Sequence, residues 1–374
     1  MSNRQHLFLL FLALCLVQAA WFFVLGVQTG NDTSRYLNAA ERLLTEGLFA
    51  DLSLKATLMV GYSAFVAMHQ LLSDSLGLIV LSQVILHIGV VLLLWTVIRH
   101  HSSPWVASGL VLLFSAFPYL ARWNFYILSD SLAISASAVL VYFTHRVVTY
   151  RPVSLWVLIP SLLPIALIRP HLAVMVMGFL VFMLAWQVRT RSLSVSTYAA
   201  LLIAPALLLF FFFSSISFVD DVFHEILRRF HRGGVIGKAW SLDMSGLAEG
   251  GNTLEKAWLI TKLAGARILA EAGMIRAYYS LPNNLHLLAY GVLIYALTTI
   301  GLLSRGHAWL KGGMLSGILA NYGLIAVTYA SWDGRYGLYT MPQVWVLMGL
   351  GAGWLEQRLR TRAADLPTAE TQQP

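Results

Sequence analysis

The chain of 374 residues is 58% hydrophobic and 11% charged, with a mean hydropathy of +0.71 and a formal net charge of +8. A water-soluble core of this length needs far less apolar surface, so the composition excludes an ordinary globular protein and points to one embedded in lipid. The basic balance does not signal nucleic acid, because the Lys and Arg residues sit in short clusters at the ends of apolar runs, where they anchor a protein against anionic lipid.

A helix crosses the hydrocarbon with about 20 apolar residues. In chain order the candidate spans are Leu7–Val27, Leu76–Ile98, Pro104–Ala121, Ile127–Thr144, Val153–Ile168, His171–Val188, Ser196–Phe218, Leu285–Leu303, Gly312–Ala330 and Gly337–Leu355. The expected fold is an all-α polytopic membrane protein, a single domain over residues 1–374. It has about ten transmembrane helices plus juxtamembrane helices on the outer side, and a disordered cytoplasmic tail at 356–374. Arg4 precedes the first run, and Ala19-Ala20 resembles a cleavage site. The run nevertheless continues to Val27, which favours a retained anchor over a signal peptide. The lone cysteine, Cys15, lies in that run and leaves no disulfide framework or cysteine metal site.

An eleventh apolar stretch, Leu58–Leu72, is short and is interrupted by Gly61 and Tyr62, which fits an interfacial or re-entrant helix. Loop charge supports leaving it out of the spans. With ten spans and a cytoplasmic N-terminus, the inner segments hold 11 basic residues against 3 acidic ones, and the outer side holds 14 of each. The whole excess of positive charge then lies inside, as the positive-inside rule requires. The implied location is a bacterial-type inner membrane, with both termini cytoplasmic.

Two connections, both outer, are long enough to do more than turn the chain: Gln28–Ser75 and Val219–Asn284. In the first, a helix starting near Ser34 presents Tyr36, Ala40, Leu43 and Leu44 on one face and Arg35, Asn38, Glu41 and Arg42 on the other, and stops at Gly47. Asp32, just ahead of it, is either a helix cap or a functional acid. The second connection predicts two charged surface helices joined around Gly246–Asn252. Its basic residues, Arg228, Arg229 and Arg232 among them, read either as a solvated face or as a phosphate site.

Asp130 is the only acid inside any candidate span, where a carboxylate costs roughly 2.5–3.5 kcal/mol at the helix centre. Arg122, eight residues earlier, reads either as folding over toward the acid in a functional site or as half of a surface-anchored Asp–Arg pair that merely fixes the helix. Arg169, in I-R-P-H, and Arg335, in S-W-D-G-R-Y-G, lie at the same outer border beside Pro170 and Gly337, which break the helix there. Taken singly, Arg169 and Arg335 each read as a plain interfacial anchor; taken together, the arginines suggest a basic rim at the depth of lipid phosphate. Trp21, Trp123, Tyr126, Trp332, Tyr336 and Tyr339 form an aromatic belt, of which Tyr336, next to Arg335, is the candidate for stacking on a sugar. His69, His87 and His286 read as hydrogen-bonded core residues, and His100 and His101 as exposed.

These segments resemble the GT-C glycosyltransferases that use polyprenyl-phosphate-linked sugars, in particular the protein O-mannosyltransferase and aminoarabinose-transferase branch. The matching pieces are D-T-S-R-Y-L-N-A-A-E-R-L-L-T-E-G, M-V-G-Y-S-A-F-V-A-M, R-W-N-F-Y-I-L-S-D-S-L-A, I-R-P-H-L-A and G-R-Y-G-L-Y-T-M-P, in that order between about residues 30 and 345. The resemblance implies an inverting transfer on the extracytoplasmic face, from a polyprenyl-phosphate sugar donor to a glycan, lipid or protein acceptor in or at the bilayer. It implies Asp32 as the base that deprotonates the acceptor hydroxyl and Asp130 as a second acid. Arg122, Arg169, Arg335 and Tyr336 would bind substrate. Family members often carry two consecutive acids in the first loop, whereas Asn31 and Thr33 flank Asp32 here. A divalent metal is compatible with the family and required by no residue here.

Two other readings remain open. A polysaccharide polymerase or ligase would rely on arginines of the outer loops, and a transporter or flippase of a lipid-linked sugar would favour internal repeats and polar groups at the midplane. The chain has no matching halves and only one acid within a span.

Overall fold

The computed structural model describes residues 3–47, 59–150, 155–190, 234–236, 240–242, 253–273, 279–328 and 334–364. Helix α1 (Asn3–Leu25) is followed by α2 (Thr33–Glu46), α3 (Val60–Gln70), α4 (Leu76–Arg99), α5 (Pro104–Ala116) and the short α6 (Pro118–Ala121), which continues as a 3-10 turn, Arg122–Phe125. Next come α7 (Ser129–Thr149), α8 (Leu155–Ala166) and α9 (Pro170–Thr190). Two three-residue strands, β1 (Gly234–Ile236) and β2 (Trp240–Leu242), pair antiparallel with Val235 opposite Ser241. The rest is α10 (Thr253–Ala272), α11 (Leu281–Leu303), α12 (Ala308–Val327), a 3-10 turn at Gly337–Thr340 and α13 (Met341–Ala364).

Among the described residues five helices are long and apolar enough to cross a membrane: α1 from Arg4, α4, α7, α9 and α11. Pro104–Ala116 with Pro118–Phe125, bent by 53°, makes a sixth if the pair is one span. The protein is helical and multi-pass, and α1 shows its nature most openly, with Phe8, Leu16, Phe23 and Val24 turned outward as lipid-facing side chains are. The bend has a local cause. Phe117 precedes Pro118, and the proline ring drives it out of the helical region to ψ 113°.

The remaining expected spans fare differently. Ser196–Phe218 lies outside the described residues. The Val153–Ile168 run is helical over Leu155–Ala166 and holds Pro160 and Pro164. The Gly312–Ala330 run falls on α12, where Lys311 and Asn321 are buried. The Gly337–Leu355 run begins as a 3-10 turn before α13. Leu58–Leu72 forms only the 11-residue α3. The first of the two surface helices expected in 219–284 and their joint at Gly246–Asn252 lie outside the described residues, and the second is α10.

One expectation is corrected at the C-terminus. Residues 356–364, expected in a disordered tail, continue α13. Glu356 holds them: it pairs with Arg360 one turn on at 2.6 Å and accepts the Ser103 amide at 2.9 Å, which ties α13 to the N-terminus of α5. Close contact with α11 fixes the rest of α13, because a Cβ at Gly301 would strike the Leu347 carbonyl and one at Gly351 the Leu297 carbonyl. Small residues at such a crossing let backbones approach in lipid, where burial of apolar surface adds no force between helices.

The bundle has two chemically distinct ends. At one, the loop after α4, the end of α7 and the turn before α12 bring His100, His101, His145 and His307 into ring contact, with centroids 4.5 Å apart for His101 and His307 and 5.6 Å for His101 and His145. His101 is half-buried there rather than exposed as expected. The other end gathers the C-terminus of α1, the N-termini of α7 and α9, and the segment entering α13. His69 and His87 are core residues, bonded to Ser82 at 2.7 Å and to Ser115 at 3.4 Å. His286, expected in the core, is instead exposed and packs on Tyr290.

Candidate functional site

The site forms where the chain leaves α1. Gln28 and Tyr126 make a parallel bridge, with the Gln28 amide donating to the Phe125 carbonyl at 2.8 Å and the Ile127 amide to the Gln28 carbonyl at 3.1 Å. Thr33 completes the joint: its hydroxyl accepts the Gly30 amide at 2.8 Å and donates to the Ile127 carbonyl at 3.0 Å. These bonds set the start of α2 beside the start of α7. Asp32 precedes α2 but makes no capping hydrogen bond with its side chain, which is 40% exposed. Thr33 ties the start of α2 to the strand-like segment before α7, and the Asp32 carboxylate lies toward Arg335.

Asp130, second residue of α7, is fully buried. Its ion pair is with Arg169, Nη1 to Oδ1 at 2.9 Å, and not with Arg122. The correction follows from the bend at Pro118. Arg122 opens the 3-10 turn, stacks on Tyr119 and Trp123, and donates to the Tyr279 hydroxyl at 2.9 Å. Arg169, in the short link before Pro170, is 3% exposed; its Nε donates to the Ser129 hydroxyl at 2.6 Å, and that hydroxyl also bonds Tyr36 of α2 at 2.9 Å. Gly61 of α3 donates its amide to the Leu167 carbonyl at 2.9 Å and steadies the link from outside. Burial disfavours the charge on Arg169, yet the adjoining Asp130 carboxylate overcomes it and holds the guanidinium pKa above its ordinary value. Tyr339 donates to Asp130 Oδ1 at 2.5 Å and accepts from Arg169 Nη1.

Arg335 joins the two acids. Nη2 lies 3.9 Å from Asp32 Oδ2 and Nη1 lies 4.0 Å from Asp130 Oδ2. Both contacts are longer than a hydrogen-bonded pair of this kind, about 2.7–2.9 Å. Asp130 Oδ2 is buried and accepts no hydrogen bond among the described residues, so an acceptor site faces Arg335. Tyr336 is stacked on His171, centroids 4.6 Å apart at 30°, and its carbonyl accepts Asn321 Nδ2 at 3.0 Å, while Asn321 Oδ1 meets His171 Nδ1 at 2.9 Å. An open cleft lined by Ser34, Arg35, Asn38, Glu41 and Arg42 runs along the polar face of α2 from beside Asp32.

No family model, curated protein or solved structure matches this chain.

Of the residues singled out in the sequence, Asp32, Asp130, Arg169 and Arg335 therefore meet within a few ångströms, Tyr336 adjoins them and Arg122 stands apart on Tyr279. The sequence placed Tyr339 in the aromatic belt and Tyr36 in the apolar stripe of α2, and it gave no role to Ser129, Asn321 and His171, whose signal was a polar side chain on or beside an apolar run. Among the described residues of this site, the two carboxylates flank a guanidinium rather than a gap between ligands. No group of three or more His, Cys, Asp or Glu among the described residues is arranged to hold a metal ion. What the arrangement can do is hold one half-exposed carboxylate near a cation, over a buried ion pair whose carboxylate keeps one oxygen without a hydrogen bond among the described residues.

Proposed function

We propose that this protein is a membrane glycosyltransferase that moves a sugar from a polyprenyl-phosphate donor to an acceptor hydroxyl, with inversion, at the extracytoplasmic face of a bacterial-type inner membrane. The reading includes ten spans, both termini in the cytoplasm, and a glycan, lipid or protein acceptor. The observation that carries it is the shared arginine: Asp32 and Asp130, nearly 100 residues apart in sequence, both face Arg335 at one end of the bundle.

In this mechanism Asp32 accepts the proton of the acceptor hydroxyl as its oxygen attacks the anomeric carbon. The bond from that carbon to the phosphate oxygen breaks, and the polyprenyl phosphate leaves with the electron pair. Arg335 stands beside both acids, where its guanidinium would bear on the negative charge that grows on the leaving phosphate. Asp130, paired with Arg169 and bonded by Tyr339, faces Arg335 with its second carboxylate oxygen. Arg122 lines the rim, and Tyr336, stacked on His171 with the Arg335 guanidinium over its ring, borders the substrate position beside that arginine.

The test is a membrane assay with a panel of labelled undecaprenyl-phosphate sugars, glucose, mannose and aminoarabinose among them, run beside a vesicle flux assay with the same compounds. The proposal expects at least one donor to give a new glycosidic bond. Movement of label across the vesicle without any bond formation would make the protein a transporter instead.

A further inference from the structure

α10 is exposed along much of its length, with Leu254, Trp258 and Leu269 at 81%, 66% and 72% exposure, yet two of its charged residues are buried: Arg267 at 1% and Glu271 at 4%. They lie one turn apart on the same face of the helix. Arg267 Nη1 donates to the Ala326 carbonyl near the end of α12 at 3.0 Å, and Glu271 Oε2 accepts the Gly337 amide at 2.9 Å. α10 thus grips both sides of the connection that carries Arg335.

The Gly337 amide needs an outside partner. It is the first N–H of the 3-10 turn Gly337–Thr340, where the chain offers no acceptor of its own, and a carboxylate suits it both as acceptor and as an anion at the positive end of the turn. The approach is also close: a Cβ at residue 337 would lie 2.9 Å from the Glu271 carbonyl and 3.1 Å from the Tyr322 hydroxyl. On either side of Gly337 stand the groups that meet the acids, Arg335 and Tyr339. Asn321 fixes the Tyr336 carbonyl, so Glu271 supplies the second of two backbone holds on the turn.

We infer that Glu271 is a positioning residue: through the Gly337 amide it fixes the turn that aims Arg335 at Asp32 and Asp130 and Tyr339 at Asp130. The inference rests on reading those groups as the transfer site. A carboxylate in this setting does more than staple a helix, since α10 is already docked through Arg267 and the bond from Glu271 goes to the one segment on which two site residues ride.

The experiment compares Glu271→Gln, which keeps an acceptor oxygen, with Glu271→Leu, which removes it, in purified full-length protein in lipid nanodiscs. Two readouts are taken per folded molecule: kcat and KM with the best undecaprenyl-phosphate donor, and hydrogen–deuterium exchange of backbone 334–340. The Leu variant is expected to lose protection across 334–340 and roughly 10- to 100-fold in kcat, the size of effect that misplacement by about 1 Å produces, with donor KM within about 3-fold. The Gln variant is expected to stay within about 3-fold of wild type in both. If the Leu variant fails to fold, Gly337→Ala, which crowds the same contact and leaves Glu271 in place, should give the same pair of losses. Unchanged exchange and kcat in the Leu variant, or equal impairment of Gln and Leu, would overturn the inference. A wild type that transfers no sugar while the exchange pattern follows the expected order would defeat the transferase reading and leave the positioning of the turn standing.

Discussion

Asp130 and Arg169 are both nearly fully buried, so neither charge survives well without the other. Taking two such ions out of water costs several kcal/mol each, and only close pairing with satisfied hydrogen bonds offsets it. Asp130→Asn leaves the Arg169 guanidinium facing a neutral amide, and Arg169→Met strands the carboxylate. Each single variant is expected to lose about 3–5 kcal/mol of stability, and the double variant much less than the sum of the two, as measured by unfolding in detergent. Additive losses would show that the pair is not coupled as its geometry requires. The two acids were legible in the sequence because lipid makes a carboxylate costly enough to need a reason. Their partner was not. Spacing along the chain suggested Arg122, but the extended Phe117 and the turn after Pro118 send that side chain to Tyr279, while the I-R-P link delivers Arg169 from 39 residues away.

Among the elements, apolar run length located α1, α4, α7, α9 and α11 with ends within a few residues, and Gly47, at φ 89°, stops α2 where the sequence placed its end. Two things were not legible. Charged residues on α10 read as solvated because nothing local distinguishes Arg267 and Glu271 from Lys262, and their burial depends on what α12 and the 337 turn present to them. The histidine cluster likewise joins residues from two separate connections and the end of α7. Burial, then His307, His145 and His100 beside it, push the His101 imidazole from 6.5 down to about 3, and burial with Lys311 and His100 lowers His307. The folded chain then binds fewer protons than the unfolded chain between these values for His101, so its contribution to stability is whole above pH 6.5 and is lost as pH falls toward 3. Melting temperature is therefore expected to drop between pH 7 and pH 4.5, and His101→Phe should flatten that drop. Equal pH slopes for the variant and wild type would show that His101 does not titrate in this way.

At the scale of the whole molecule, the helical bundle separates a histidine-lined end from an acid–arginine end, and Asp32, Asp130, Arg169 and Arg335 lie at the second. In the proposed orientation that end faces away from the cytoplasm, and the excess positive charge of the chain stays with the first. Length and hydropathy made the membrane class plain. The number of spans was less plain because proline, lysine and asparagine interrupt the later runs. Asp32 makes no capping bond with its side chain and is 40% exposed, so removing its charge should leave the fold intact while removing the base. The decisive measurement is sugar transfer from an undecaprenyl-phosphate donor by Asp32→Asn, normalised to folded protein. The account predicts a loss of at least about 100-fold with an unchanged melting temperature. Transfer at the wild-type rate would contradict it, remove Asp32 as the base and favour a polymerase or ligase that works through its outer-loop arginines.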